Sequence, residues 1–174
     1  MTTESGVELT GMTLHPGSAA GSLLRLDAPL SFWGGSELET GRITDERHPQ
    51  WGVIMAGRIL VMHSGRGSSS SSSVLAEQIR AGVSPAAILL SEPDAIIVLG
   101  AIVAAELYEK SMPIVLLTHT EIDSLTEVIP VQVEATTGDA TVRGVVPAPP
   151  HSPSKGPRPD DPRAVPARHP VHLR

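Results

Sequence analysis

Gly65-Arg66-Gly67-Ser68-Ser69-Ser70-Ser71-Ser72-Ser73, running at once into Val74-Leu75-Ala76-Glu77-Gln78-Ile79-Arg80, has the pattern of a turn between a strand and a helix. Ahead of it Arg58-Ile59-Leu60-Val61-Met62 is an apolar run of strand length, and after it Val74, Leu75, Ile79 and Val83 recur at helical spacing. Gly82 falls where the helix should stop. The serines therefore span the turn and the first helical residues, where a hydroxyl is favoured because it satisfies amides that have no partner within the helix. Gly65 and Gly67 let the backbone bend tightly and approach a ligand. The first amides of a helix, at the positive end of its dipole, bind anions or stabilise an oxyanion. No Lys follows the glycines, so the turn is not a phosphate loop of the nucleotide type. A flexible linker could also be serine-rich, but linkers are seldom bounded by a buried strand and a well-phased helix.

Outward from the turn, residues 86–90 and 113–118 read as short buried strands and 95–110 as a helix dense in Ile, Val, Leu and Ala, capped by Asp94. Strand, helix, strand, helix, strand implies two crossovers. His119, at the end of the last strand, is expected on the surface. Residues 128–135 and 140–145 alternate about Thr137-Gly138-Asp139, a hairpin signal. Toward the start, 7–14 and 21–26 read as strands joined by a turn at His15-Pro16-Gly17-Ser18. Residues 28–57 show little periodicity, and a loop of that length in a compact domain is usually functional. It holds both tryptophans and the single phenylalanine; Trp33 and Trp51 are expected to anchor it to the core. Asp45 and His48 are equally suited to anchoring the loop and to serving a site. Residues 1–146 should form one domain. Residues 147–174 carry nine of the 16 prolines and no periodicity, and are expected to be disordered.

Composition narrows the function. Of 13 Lys and Arg and 19 Asp and Glu, the tail from residue 147 holds five and two, leaving eight basic against 17 acidic residues before it, a net charge of −9. Such a body is ill suited to nucleic acid, whose binding depends on neutralising phosphates, and with 2% aromatic residues it offers no stacking platform. The chain has no Cys, which excludes a thiolate-built zinc site or iron–sulfur cluster within it. The start shows no signal-peptide pattern and no apolar stretch is long enough to span a bilayer, so a cytoplasmic protein without a membrane role is expected.

With these elements in place the chain resembles the small-subunit type of the aconitase X family over about residues 7–146. The carriers are Leu30-Ser31-Phe32-Trp33-Gly34-Gly35, Thr40-Gly41, Asp45, His48-Pro49, Gly57, Gly65-Arg66-Gly67-Ser68 and the helix beginning Val74-Leu75. The sequence departs from that pattern at Glu37-Leu38, where relatives usually carry an Asp-Pro pair, and in its unbroken serine run. The resemblance implies an α/β fold: a swivelling β/β/α domain like the mobile domain of aconitase, with a mixed sheet and crossover helices. It also implies a heterodimer with a larger subunit that carries an iron or iron–sulfur centre, this chain binding no metal or cofactor of its own. The implied activity is dehydration of a small hydroxy acid, cis-3-hydroxy-L-proline favoured and phosphomevalonate the alternative. By the same resemblance Ser68 matches the family's proton-abstracting serine, with Ser69 or Ser70 as substitutes, and Arg66, Gly67 and Ser69 would contact substrate. Two other classes of function compete. Swivelling phosphohistidine carriers have a similar element order, but place a His in the turn where this chain has only serines. An isolated swivel domain that binds a partner without catalysis is the other.

Overall fold

The computed structural model describes residues 6–125 and 130–145. In chain order its elements are β1 (Gly6–His15), β2 (Gly17–Gly21), β3 (Leu23–Arg25), the single irregular turn α1 (Phe32–Gly35), β4 (Ile59–Val61), α2 (Ser70–Ala81), β5 (Ala87–Leu90), α3 (Ala95–Tyr108), β6 (Ile114–Leu116), α4 (His119–Ser124), β7 (Val131–Ala135) and β8 (Asp139–Val145). The strands form one mixed sheet in the order β2-β7-β8-β1-β6-β5-β4-β3. Neighbours from β3 to β6 run parallel, as chains that cross over through α2 and α3 must, and the remaining pairs are antiparallel.

The sheet folds over on itself, so that β2 at one edge lies against β4 and β5. Two β-layers with helices outside the parallel one give the β/β/α arrangement. Period-two alternation divides the buried strands between two cores. Leu60, Ile88, Leu90 and Ile114 face α2 and α3, packing on Leu75, Ile79, Ile97 and Ala101. Ile59, Val61, Leu89 and Val115 face the other layer, meeting Val131, Val133, Ala140 and Val142. With so few aromatic residues, both cores are built almost wholly from aliphatic side chains, each contributing about 1.5–3 kcal/mol on burial.

Local chemistry sets the helix ends. Gly82 terminates α2 at φ 75, and its amide reaches back to the carbonyls of Gln78 and Ile79, a left-handed cap that glycine adopts without strain. The Asp94 carboxylate accepts from the amides of Ile96 and Ile97 at 2.9 and 3.1 Å and opens α3. The two helices pack closely because Gly100 has no side chain: a Cβ there would lie 2.9 Å from the Ser72 carbonyl oxygen.

Several expectations need correction. The stretch 21–26 is not one strand. Gly21 ends β2 and Leu23 begins β3, on opposite edges of the sheet, and at the crossing a Cβ on Gly21 would sit 2.5 Å from the Gly57 carbonyl oxygen. The supposed turn at residues 15–18 is only a break at Pro16: Gly17 already pairs with Ala135, and His15 is buried, donating from Nδ1 to the Met112 carbonyl at 2.9 Å. Helix α4 was missed, although Thr118-x-x-Glu121 spells the capping box that starts it. His119 is its first residue and is exposed. Of the first hairpin strand, residues 128 and 129 fall outside the described residues, as do the expected tail at 147–174 and the chain start.

Candidate functional site

The turn after β4 is tied to the loop at 28–57. Leu30 bridges to Gly65 as a parallel neighbour, and the Arg66 amide donates to the Leu30 carbonyl at 3.0 Å. Gly65 is forced by its neighbours: a Cβ would run into the Asp94 carboxylate and approach Ile97 Cδ1 to 2.7 Å. Gly67, at φ +129, sits between two hydroxyls, and its Cβ would lie 2.6 Å from both Ser31 Oγ and Ser71 Oγ. Those hydroxyls are 3.2 Å apart; Ser31 Oγ also donates to the Trp33 carbonyl, and Ser71 Oγ accepts from the Trp33 amide.

The serine run divides by position. Ser71 and Ser72 are buried in the first turn of α2, and Ser72 Oγ donates to the Ser69 carbonyl at 2.6 Å. Ser68, Ser69 and Ser70 are exposed. The expectation that serine hydroxyls cap the helix is not met: Ser69, the N-cap, has helical φ −53 and ψ −25, and its side chain accepts no amide. A β-region N-cap would aim its hydroxyl at the amides two and three residues on, and this conformation does not. The Ser71 and Ser72 amides that such a cap would serve donate instead to the Ser68 and Ser69 carbonyls, and among the described residues the amides of Gly67, Ser68, Ser69 and Ser70 have no acceptor. Unpaired amides at the positive end of a 12-residue helix can cradle negative charge.

Arg66 and Asp45 meet beside that cradle, with Nη2 2.7 Å from Oδ2. The Asp45 carboxyl is held below its ordinary value, chiefly by the Arg47 amide it accepts at 3.0 Å, with Arg66 adding to the effect. Arg66 is thus steered through Nη2 while the side chain stays 60% exposed, leaving its other N–H donors free. His48 is spent on anchoring: buried, it donates from Nε2 to the Ala28 carbonyl at 3.0 Å and accepts the Gln50 amide at Nδ1. Gln78, fully buried on α2, ties the loop down from the other side, donating to Ser36 Oγ and the Glu37 carbonyl at 3.0 and 2.9 Å.

The tryptophans do not anchor the loop as expected. Trp33 and Trp51 are 63% and 60% exposed, while Phe32, Leu30, Ile43 and Met55 fill the core beneath them. Sequence reasoning also passed over His63. Its Nδ1 is 2.8 Å from Ser91 Oγ, its Nε2 is 3.5 Å from Asp123, its ring stacks on His119 at 5.0 Å, and Asp123 is gripped by Arg25 at 2.6 Å. This network ties together the carboxyl ends of β3, β4, β5 and β6, two residues ahead of Gly65. The available signal was a polar residue directly after an apolar strand. Among the described residues no three or more His, Cys, Asp or Glu are grouped to hold a metal, and no helix is long and apolar enough to cross a membrane.

A β/β/α domain with a glycine turn and helix leaving its parallel layer has the architecture of a swivel domain. The family model described as the aconitase X swivel domain matches residues 8–142, and the chain belongs to that family. It is 52% identical over 102 residues to a cis-3-hydroxy-L-proline dehydratase of Pseudomonas aeruginosa, an alignment covering 59% of this chain and 18% of the relative. It is 33% identical over 136 residues to a phosphomevalonate dehydratase small subunit of Pyrococcus furiosus, covering 78% of this chain and 96% of that one. The crystal structure of Thermococcus kodakaraensis aconitase X in its holo form matches with a TM-score of 0.68 at 31% identity, over 78% of this chain and 98% of the other. The chain spans only 18% of the length of the cis-3-hydroxy-L-proline dehydratases it resembles.

Proposed function

We propose that the chain is the small subunit of a two-subunit cytoplasmic hydro-lyase, and that Ser68 is its base. The observation that carries this is the Ser68 hydroxyl on an exposed turn whose own amides are unpaired, with Arg66 two residues earlier on the same turn and its guanidinium steered by Asp45. The substrate class follows from chemistry that both kinds of relative share: a proton α to a carboxylate and a hydroxyl β to it. Identity leans toward cis-3-hydroxy-L-proline; the match across nearly the whole Pyrococcus small subunit supports phosphomevalonate as the second reading.

In this scheme Ser68, as the alkoxide, takes the α-proton. The electron pair left on the α-carbon forms the double bond to the β-carbon as hydroxide departs, and the proton that Ser68 took passes to that hydroxide, giving water and restoring the alkoxide. A neutral hydroxyl is a poor base, so the chain's task is to favour the alkoxide and the enediolate-like charge that follows. The four amides, the α2 dipole and Arg66 act on that charge in place and need no reorganisation. Ser69 lies on the same cradle and with Gly67 lines the substrate carboxylate. Asp45 is a positioning residue acting through Arg66. The donor set of this chain does not suit an iron or iron–sulfur centre, since it has no Cys and no grouped ligands among the described residues, so such a centre is assigned to the large subunit.

The test is co-expression with the cognate large subunit, anaerobic iron reconstitution and assay of both substrates, with Ser68→Ala, Ser69→Ala and Ser70→Ala beside the wild type. Ser68→Ala should lower kcat by at least about 100-fold, in the range set by loss of a general base, and the other two by far less. A complex that turns over neither substrate refutes the substrate class. Loss of activity in Ser69→Ala or Ser70→Ala but not in Ser68→Ala moves the base along the run. Failure to form a complex leaves an isolated, non-catalytic swivel domain.

A further inference from the structure

Both tryptophans of the chain face solvent, at 63% and 60% exposure, although side chains of this size are on average highly buried. Their loop does not need them. Phe32, Leu30, Ile43 and Met55 are at most 1% exposed beneath it, and His48 and Gln78 bond its backbone. Leu38 and Ile54 of the same loop are also exposed, at 40% and 44%. Nor is Trp33 loosely held. Its amide and carbonyl are bonded to Ser71 and Ser31, and Gly34 turns the chain at φ 72 directly after it. An apolar group on a backbone locked to the first turn of α2 is preorganised for contact, because little is lost on immobilising it. Trp51 ends a tight turn in which its amide donates to the His48 carbonyl, and the His48 amide donates to the carbonyl of Asp45, the partner of Arg66.

We propose that the loop face carrying Trp33 and Trp51 is the docking surface for the large subunit, with the two indoles seated in apolar pockets on that subunit. This rests on the two-subunit reading given above. Trp33 is joined to the Ser68 turn by the Ser31–Ser71 contact around Gly67, and Trp51 by the chain of bonds through His48 and Asp45 to Arg66, so a partner that completes the site at this turn meets both. In the Pseudomonas relative, the chain's matched part is a small fraction of a longer protein. A second copy of this chain does not suit the face: it would cover Ser68, bring no grouped metal ligands from its described residues, and add like charge to a body already at −9. Each indole would bury on the order of 150 Å², the apolar centre of an interface of about 800 Å² per partner, with exposed Arg42, Glu46 and Arg47 at its rim.

The full chain, made with 5-fluorotryptophan, should give two ¹⁹F resonances that move or broaden when unlabelled large subunit is added. Trp33→Ala and Trp51→Ala assign them, and each should weaken binding roughly tenfold or more, as truncated aromatic anchors do. Leu107→Ala, at a 67% exposed position on α3, should change binding less than about twofold. Circular dichroism checks that the variants fold, and the labelled wild-type chain gives the answer without them. A complex that leaves both resonances unmoved overturns the docking surface while the pairing stands. No complex by sedimentation overturns both.

Discussion

Replacing Gly67 with Ala asks the turn after β4 to hold a methyl group where there is no space. At φ +129 an L-residue is strained by about 1–3 kcal/mol whatever surrounds it. The surroundings add to this: the new Cβ would lie 2.6 Å from both Ser31 Oγ and Ser71 Oγ, well inside van der Waals contact. Ser71 is 3% exposed and cannot swing outward without giving up the Trp33 amide, so the Ser31–Ser71 bond breaks at about 1 kcal/mol. The sum is a loss of roughly 2–4 kcal/mol, which for a chain of this size lowers Tm by roughly 4–16 °C. Gly52→Ala is the control. Gly52 also has positive φ, at +82, but a Cβ there meets no heavy atom within 4 Å, leaving only about 1–2 kcal/mol of backbone strain. In urea unfolding followed by circular dichroism, Gly67→Ala should be the less stable of the two by about 1 kcal/mol or more, since it adds the clash and the lost Ser31–Ser71 bond to backbone strain. Equal unfolding free energies would refute the tight contact of Gly67 with Ser31 and Ser71, and with it the account of why the turn keeps its shape.

Other perturbations test the loop. The Asp45 carboxyl is depressed, so its contribution to order is complete above its ordinary range near pH 4 and is lost as pH falls through the lowered value. Arg66 side-chain NMR signals should follow that acid transition in the wild type and show none in Asp45→Asn; a transition unchanged in the variant would remove Asp45 as Arg66's partner. Gln78→Leu deletes the two bonds to Ser36 Oγ and the Glu37 carbonyl in a fully buried place, and should cost about 1–3 kcal/mol in urea unfolding. An unchanged midpoint would mean the loop is held by its apolar residues alone. On the proposed two-subunit reading, Ser68→Ala should lower kcat by at least about 100-fold while leaving Tm within about 2 °C, since surface substitutions seldom change stability much.

How far the structure could be read in advance depended on how local the cause was. The helices α2 and α3 were legible because their signals lie within a turn of each other in sequence: Leu75 and Ile79 on one face, Gly82 at the stop, Asp94 at the start. The turn at 65–69 was legible for the same reason. Strand identity around Gly21 was not, because a strand's partner is chosen by what lies across the sheet. Nothing near residues 17–21 announces pairing with 131–135. The tryptophans misled because a large apolar side chain is normally a core residue, and only the completed packing of Phe32, Ile43 and Met55 shows that no room was left for them.

The sequence by itself determined the unit on which everything turns: an apolar strand, a glycine turn, a serine-started helix, and a repeat of strand and helix that requires a parallel layer. Those are consequences of backbone stereochemistry and short-range periodicity. Only the tertiary structure decided which serines face water and which are buried, that Asp45 reaches Arg66 while His48 is spent on the Ala28 carbonyl, and that four strand ends are tied together at His63. Each of these depends on residues distant in sequence approaching to within a hydrogen bond's length, and that distance is set by the packing of two layers against each other.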